Sequence, residues 1–344
     1  MIQEKARIKW VDVVRCIGIF LIYVSHFGEI AGYTFPFAFT HHVPLFFILA
    51  GCMENLRSDT GILSTIVKTI KTILIPWLFY ALLSLVIRVI MNNSTAEIMP
   101  ELLHIVKGTI RNQFFASALW FLTCAAAVRI VFAFIRKLKY KIAIFTVCLG
   151  LFVIAEYVMP YRPFVTPAMP YNVDSMLFYI LFYAIGYVAF PFMCKALEPK
   201  KIWGKCLLGL SGLVCGGYTA LLFFGKNLLL YIPQNMVTDR LQMILCPLIV
   251  CWFYCIVGKL LENVPVLCKI GQETLHLCGN EYIIKTLFPV LLSVFGLATH
   301  LGNPLIVFAY NAVMLVITTY LLVPYEKKML NKITGIFSLK KKPT

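Results

Sequence analysis

Residues 13–31 read VVRCIGIFLIYVSHFGEIA, a mainly apolar run that also carries Arg15, His26 and Glu29. About 20 residues of helix cross the hydrocarbon core of a bilayer, so this stretch predicts a membrane span. Similar runs recur along the whole chain. They lie near 13–31, 36–53, 72–91, 119–135, 142–159, 176–194, 203–224, 241–257, 275–298 and 304–323. The runs are continuous rather than alternating, which indicates helices and not the strands of a barrel.

The composition agrees with these runs. Of the 344 residues, 60% are hydrophobic and only 13% are charged, and the mean hydropathy is +0.85. These values exclude a disordered chain, a coiled coil and a soluble enzyme. We predict an all-α, polytopic integral membrane helical bundle with about ten transmembrane helices. We expect residues 1–344 to form a single membrane-embedded domain, with a basic cytoplasmic tail at 325–344.

The net charge of +16 comes from 31 Lys and Arg against 15 Asp and Glu. With the N terminus in the cytoplasm, most of these cations fall in cytoplasmic segments and few in outer loops. This asymmetry is the positive-inside pattern. It predicts cytoplasmic N and C termini, a multi-pass protein of the cytoplasmic membrane, and contacts between the basic segments and membrane lipids. It also accounts for the charge without a nucleic-acid partner.

Arg15 and His26 are eleven residues apart in the first run. At about 100° and 1.5 Å per residue, they lie on one stripe of a helix, about 16 Å apart along its axis. Glu29 would continue the stripe and could hold one imidazole tautomer. Ionisable groups inside a membrane are costly, so each needs a partner or a function. Either Arg15 reaches the headgroups and His26 bonds to a neighbouring helix, or Arg15 holds an anionic donor and His26 is a base or acyl acceptor.

Other motifs extend this pattern. They are His42, Pro44, Leu45, Phe46 and Phe47, the pair Ala50 and Gly51, and the segments 119–122 and 182–186. Together with Arg15 and His26, they resemble the acyltransferase 3 family of integral membrane acyltransferases, which includes enzymes that O-acetylate bacterial surface glycans. The similarity runs with gaps over most of the chain, and it also implies about ten core spans.

Several positions depart from the pattern of that family. Ala50 stands where the family usually has Ser, Lys68 and Lys71 stand for two arginines, and Trp77 stands for Tyr. Lysine keeps the charge of arginine but loses its forked geometry. Near the C terminus, Glu281 stands where the family has His.

The resemblance implies a reaction and a site. The donor would be a cytoplasmic acyl-CoA, usually acetyl-CoA, and the acceptor a hydroxyl of a glycan or lipid-linked sugar on the outer side. We expect His26, Arg15 and Glu29 at the catalytic centre. We expect the donor phosphates at Arg15, Lys68 and Lys71.

Further candidates concern the acceptor and a metal. His42, Trp120 and Asp174 are candidate acceptor-binding residues. His41 and His42, with His26 and Glu29, raise the alternative of a zinc site. Adjacent histidines point in different directions on a helix, so we predict no metal.

The rival function is an ion-coupled secondary transporter or flippase, because intramembrane charges are also typical of carriers. The sequence shows no inverted repeat. A polar cluster between Glu273 and Lys285 leaves two interpretations open. Glu281 and Lys285 have the spacing of a mutually neutralising pair, or the cluster belongs to a proton or substrate pathway.

Overall fold

The computed structural model describes residues 7–57, 61–296 and 302–336. Within these ranges the chain forms helices and connecting loops, with no strand. The all-α prediction is therefore confirmed. The α-helices are α1 (Lys9–Ser25), α2 (Thr34–Phe39), α3 (His42–Asn55), α4 (Ile62–Thr69), α5 (Ile75–Asn92), α6 (Ile98–Val106), α7 (Trp120–Ile135), α8 (Lys141–Val153), α9 (Val173–Leu197), α10 (Ile202–Phe223), α11 (Met236–Leu260), α12 (Pro265–Gln272), α13 (Thr274–Val294), α14 (Pro304–Ile317) and α15 (Val323–Ile336).

Short segments of other helical types join some of these helices. Single π-helical turns connect α4 to α5 and α14 to α15, and a third extends α8; they are Ile70–Leu74, Thr318–Leu322 and Ile154–Val158. A π turn inserts one residue into an α-helix, so the helix continues in a shifted register. As a result, 62–92 and 304–335 are long continuous helices.

Each of the ten predicted spans coincides with a helix of the structure. Among the described residues, eight helices are long and apolar enough to cross a membrane. The other two predicted spans correspond to Trp120–Ile135, which is apolar but shorter, and to Lys9–Ser25, which has 17 residues and carries several charges. The chain is thus a multi-pass helical membrane protein.

One predicted span boundary is wrong, and a second span contains a break. The first span was expected to reach residue 31, but α1 ends at Ser25, and Gly28 then has φ of 63°, a left-handed conformation that glycine adopts without strain. The second span, expected at 36–53, is confirmed as the candidate membrane span Thr34–Asn55, although the irregular backbone of His41 (φ −150°, ψ −16°) divides it into α2 and α3.

The tail predicted at 325–344 begins as regular structure. Residues 325–336 form most of α15, which continues the last membrane helix. The three consecutive lysines at 340–342 lie outside the described residues.

The chain divides into two units. Unit 1 comprises Met1–Leu56, Phe182–Thr274 and His300–Val316, and unit 2 comprises Arg57–Leu181, Leu275–Thr299 and Ile317–Thr344.

In unit 1, the central element is α1, which packs against α2, α3, α11 and α12. Two glycines let α11 and α12 approach it closely. A Cβ atom at Gly271 would lie 1.7 Å from the carbonyl oxygen of Asp12, and one at Gly258 would lie 2.5 Å from Cγ2 of Val14. Close helix packing through small residues therefore buries α1 on most of its surface.

A second close crossing in unit 1 joins α3 and α9. A Cβ atom at Gly51 would lie 1.9 Å from the carbonyl oxygen of Tyr183, and one at Gly186 would lie 1.9 Å from that of Ile48. Nδ2 of Asn55 also donates a hydrogen bond to the carbonyl of Tyr187 at 2.7 Å. The two glycines of the sequence motifs thus form one helix crossing.

Unit 2 holds a polar cluster between α5, α13 and α15. The hydroxyl of Tyr80 lies 2.8 Å from Nδ1 of His276 and donates to Oε2 of Glu326 at 2.8 Å. The same carboxylate oxygen accepts from Nδ2 of Asn280 at 2.7 Å. Gly279 packs against the Tyr80 ring. These bonds satisfy polar groups that would be costly in an apolar environment, so they tie the three helices together.

The predicted ion pair in α13 is confirmed. Nζ of Lys285 lies 2.5 Å from Oε1 of Glu281, one helical turn earlier. Both side chains are largely buried, so each neutralises the other within the helix bundle.

The α3–α9 crossing generates a stability prediction. Gly51→Ala should lower the free energy of unfolding by about 1–3 kcal/mol, because the added methyl group must push the two backbones apart. The control is Gly209→Ala in α10, where nothing lies within 4 Å of the new Cβ and alanine is the better helix former. Thermal melting in one detergent measures both. Equal melting temperatures for the two variants would contradict the close crossing.

Candidate active site

Arg15 lies near the start of α1 and forms an ion pair with Asp12. Its Nη1 is 3.7 Å from Oδ1 of Asp12, one helical turn earlier. The same carboxylate accepts a hydrogen bond of 2.6 Å from Nε of Arg7. Asp12 is buried, whereas the Arg15 side chain keeps 24% of its accessible surface. Two guanidinium groups share one carboxylate, so the start of α1 keeps a net positive charge.

His26 directly follows the last residue of α1. Its backbone N–H still donates to the carbonyl of Ile22, so the helical path from Arg15 to His26 is continuous. The axial rise between the two residues is therefore about 16 Å, as the spacing predicts. Both side chains are partly accessible on a helix that is otherwise mostly buried.

Glu29 does not continue this stripe. It lies in a separate 3₁₀ turn, Gly28–Ala31, and its side chain is exposed. The expected helical i+3 relation to His26 is wrong, because the chain leaves the α-helix before Gly28. Glu29 instead lines an apolar cavity of 720 Å³ together with residues of the loop after α1 and the start of α14. A catalytic role for Glu29 remains a prediction.

His42 is brought to the same region as His26. The ring of Phe39, at the end of α2, has its centroid 6.1 Å from that of His26 and 5.1 Å from that of His42. Nδ1 of His42 lies 2.6 Å from the carbonyl oxygen of Ala38 and donates to it. This bond fixes the tautomer of a neutral ring, with Nε2 as the nitrogen that can accept a proton.

His41 has a different environment from His42. Its ring is fully buried, with Nδ1 3.0 Å from the hydroxyl of Thr40 and Nε2 3.1 Å from that of Tyr254 in α11. Among the described residues, no three His, Cys, Asp or Glu side chains are grouped to hold a metal ion. The expectation that no metal is bound stays a prediction.

The lysine pair belongs to unit 2, whereas Arg15 belongs to unit 1. Lys68 is exposed in α4, and Lys71 is partly exposed in the π turn that follows. Their role in binding donor phosphates remains a prediction.

Trp120 is the first residue of α7 and is largely buried. The guanidinium carbon of Arg111 lies 4.9 Å from the centroid of its ring, a cation–π arrangement, and Tyr179 packs beside it. Arg111 also donates to the carbonyls of Pro163 and Phe164. Trp120 and Arg111 thus hold the loop at residues 163–164 in place, and the contact of Trp120 with an acceptor remains a prediction.

Asp174 organises the loop before α9. Its Oδ2 accepts hydrogen bonds from the backbone N–H of Ala168 at 2.7 Å and of Met169 at 3.0 Å, and its Oδ1 accepts from that of Ser175. The hydroxyl of Tyr161 also donates to Oδ2. Burial raises the pKa of Tyr161, and the neighbouring carboxylate adds to this rise. Asp174 is fully buried, so its predicted contact with an acceptor requires this loop to open.

Three residues near the site were not singled out from the sequence. Asp12 had a detectable signal, because it precedes Arg15 by one helical turn. No sequence signal identified Phe39 or Tyr254. Their contacts depend on the path of the loop after α1 and on α11, which is more than 200 residues away in sequence.

Comparison with known proteins identifies the family. The model of the acyltransferase 3 family, described as an acyltransferase domain, matches residues 8–323. The curated proteins gave no match, and neither did the solved structures. The match includes Arg15 and His26 and favours acyl transfer over the transporter alternative. The chain therefore belongs to the acyltransferase 3 family and is a multi-pass membrane acyltransferase.

Proposed function

We propose that this acyltransferase moves an acyl group, most simply acetyl, from cytoplasmic acyl-CoA to a hydroxyl of an extracytoplasmic or lipid-linked glycan. The observation that carries the proposal is the arrangement along α1. In a helix that unit 1 largely buries, the Arg15 cation near the start and the His26 imidazole just after the end stay partly accessible. The charge asymmetry of the loops predicts that Arg15 lies at the cytoplasmic end of the helix and that His26 lies towards the outer side of the cytoplasmic membrane.

The start of α1 suits an anionic donor. Arg7 and Arg15 carry two positive charges, and Asp12 carries one negative charge. The end of α1 that faces the cytoplasm therefore attracts phosphates. The ion pair with Asp12 also holds the Arg15 guanidinium in place. An extended pantetheine arm is comparable in length to the axial rise of about 16 Å between Arg15 and His26. A donor with its phosphates at Arg15 would therefore place its thioester at the level of His26.

Direct transfer uses His26 as a general base. The acceptor oxygen attacks the thioester carbonyl carbon while the imidazole takes the hydroxyl proton. The carbon–sulfur bond then breaks, and the proton passes to the departing thiolate. The products are an ester and free CoA.

Covalent transfer is the alternative route with the same residue. The imidazole nitrogen attacks the thioester, and the thiolate leaves with the imidazole proton. The acceptor hydroxyl then attacks the acyl-imidazole and returns a proton to the ring. Both routes need His26 in its neutral form at the start.

His42 supplies a second imidazole beside the Phe39 ring. Its Nδ1–H is committed to the carbonyl of Ala38, so Nε2 is the atom available to accept a hydrogen bond from a sugar hydroxyl. This orientation supports a role for His42 in holding the acceptor. Trp120 and Asp174 would contribute through the outer loop that they organise.

His26→Ala should reduce acylation by about a hundredfold or more, because both routes lose the group that accepts the proton or the acyl chain. Mass spectrometry of surface glycans and lipid-linked precursors measures the transferred group and also identifies the acceptor class. The control is His104→Ala, which removes an imidazole from α6 in unit 2. Normal acylation by a His26→Ala protein that reaches the membrane would end this mechanism.

Arg15→Ala should weaken acetyl-CoA binding by about tenfold or more, since it removes a charge-assisted contact to phosphate. The measurement is the thermal stabilisation of the purified protein by acetyl-CoA. Lys195→Ala removes an exposed cation at the end of α9 and should bind acetyl-CoA like the wild type. A wild-type protein that acetyl-CoA does not stabilise, yet that moves a substrate across vesicles, would instead support the transporter alternative.

A further inference from the structure

The cavity beside Glu29 is lined mainly by apolar side chains. Its volume is 720 Å³, which lies within the range of sites for small ligands. Residues 29–36, the end of α10 and the start of α14 supply the wall, and all three segments belong to unit 1. Rings and prolines make up most of this wall: Tyr33, Phe35, Pro36, Phe223, Pro304 and Phe308. Such a lining favours the hydrocarbon part of a ligand.

The lining is a packed part of unit 1. A buried apolar cluster supports it. The cluster includes Val24 of α1, Ala31, Val307 of α14 and the rings of Phe35 and Phe308 packed against them. Gly32 has φ of 57°, and a Cβ atom there would lie 3.2 Å from Cγ of Pro304. This close approach joins residues 29–36 to the start of α14, so the cavity has a defined shape.

The position of the cavity in the membrane follows from the charges of the loops. Their asymmetry predicts that the end of α1, the end of α10 and the start of α14 lie on the outer side. At the edge of the cavity, Tyr33 is 59% exposed and Leu305 is 77% exposed. Exposed apolar side chains at the outer end of a membrane helix face lipid or the headgroup layer. A lipid chain can therefore enter the cavity from the outer leaflet.

Aromatic rings connect the cavity to the two imidazoles of the candidate site. The ring of Phe35, which lines the cavity, has its centroid 5.3 Å from that of Phe39. The ring of Phe39 in turn packs beside both His26 and His42. A ligand with its apolar part in the cavity and its polar part beyond Phe39 would thus present the polar part to these imidazoles.

The charge at the cavity restricts the chemistry of such a ligand. Among the described residues that line the cavity, Glu29 is the only charged one. Its side chain is exposed and makes no hydrogen bond or ion pair with another described residue. A carboxylate accepts hydrogen bonds from hydroxyl groups and repels a phosphate nearby. The cavity therefore favours a sugar next to the hydrocarbon chain and disfavours a phosphate.

We propose that the cavity holds the hydrocarbon chain of the acceptor, and that this acceptor is a glycolipid with an uncharged link between chain and sugar. Glu29 accepts a hydrogen bond from a sugar hydroxyl and so directs the sugar towards His26. A glycan without a chain lacks the group that the cavity favours. The inference rests on the proposed function, because it names the class of acceptor for the same site.

The test is photolabelling of the full-length protein in phosphatidylcholine nanodiscs by decyl maltoside with a diazirine on its chain. The label should attach to residues 29–36 and 304–308. Leu305→Trp should reduce this labelling by about tenfold or more, because the indole occupies the cavity. The matched control is Leu213→Trp in α10, which is equally exposed but outside the cavity and should be labelled like the wild type.

Folding of the variants is checked by thermal melting. If Leu305→Trp does not fold, Pro36→Trp gives the same comparison from another exposed position of the lining. Wild-type labelling of a folded variant at either position would overturn the inference.

Competition tests the role of Glu29. Unlabelled decyl maltoside should displace the label at about tenfold lower concentration than decyl phosphate, which has the same chain but a negative head. Glu29→Gln should narrow this difference, since it removes the charge that repels the phosphate. Asp239→Asn removes a partly exposed carboxylate from the start of α11 and should keep the wild-type preference. Equal displacement by the two competitors in the wild type, or an unchanged preference in Glu29→Gln, would contradict the proposed acceptor.

Photolabelling needs no acyl transfer, so the inference and the proposed function can fail separately. Labelling of the cavity as expected, in a protein for which mass spectrometry finds no acylated glycan or glycolipid, would support the cavity site and contradict the proposed function. Acylated glycans made by a protein whose cavity is not labelled would support the proposed function and overturn the inference.

Discussion

The burial of α1 in unit 1 is the constraint on which the candidate site depends. A helix with Asp12 and Arg15 at one end and His26 at the other is a poor partner for lipid tails, because each ionisable group would lose its hydration without compensation. The protein surrounds this helix with α2, α3, α11 and α12 instead. Gly271 and Gly258 make that enclosure tight, since the backbone of α1 at Asp12 and the side chain of Val14 occupy the space that larger residues would need. Among the ionisable groups of this stretch, Asp12 is buried, whereas Arg15 within α1 and His26 directly after it stay partly accessible.

Close helix packing also explains the structural role of motif residues that have no reactive side chain. Gly51 and Gly186 are far apart in the sequence, and each faces the backbone of the helix that bears the other. In a membrane, helices attract one another mainly through close packing and polar contacts, because lipid tails compete equally well for apolar surface. A glycine pair at a crossing therefore stabilises the helix bundle, although glycine itself has no functional group. It fixes α3, and with it His42 at the start of that helix.

The sequence predicted the helices well because long apolar runs are a strong and local signal, and all ten runs became helices. It failed where a local backbone choice decided the outcome. Gly28 ends the path of α1 before Glu29, the backbone at His41 separates α2 from α3, and the π turn at Ile70–Leu74 shifts the register of a helix that reads as uninterrupted. Contacts between distant segments could not be predicted from the sequence either. No spacing rule links Tyr80 to Glu326 or Arg129 to Thr72, because each pair meets only through helix packing.

The two units handle positive charge in different ways, and this difference bears on how each could bind an anion. In unit 1, Asp12 pairs with Arg15 and so fixes its position, but the carboxylate also cancels part of its field. Arg7 restores the excess charge through the same carboxylate, which yields an oriented cation with a modest net potential. In unit 2, Nη1 of Arg129 donates a hydrogen bond to the hydroxyl of Thr72, so a neutral side chain contributes to the orientation of this guanidinium. Unit 1 is therefore suited to positioning an anionic group through a cation that an acid holds in place.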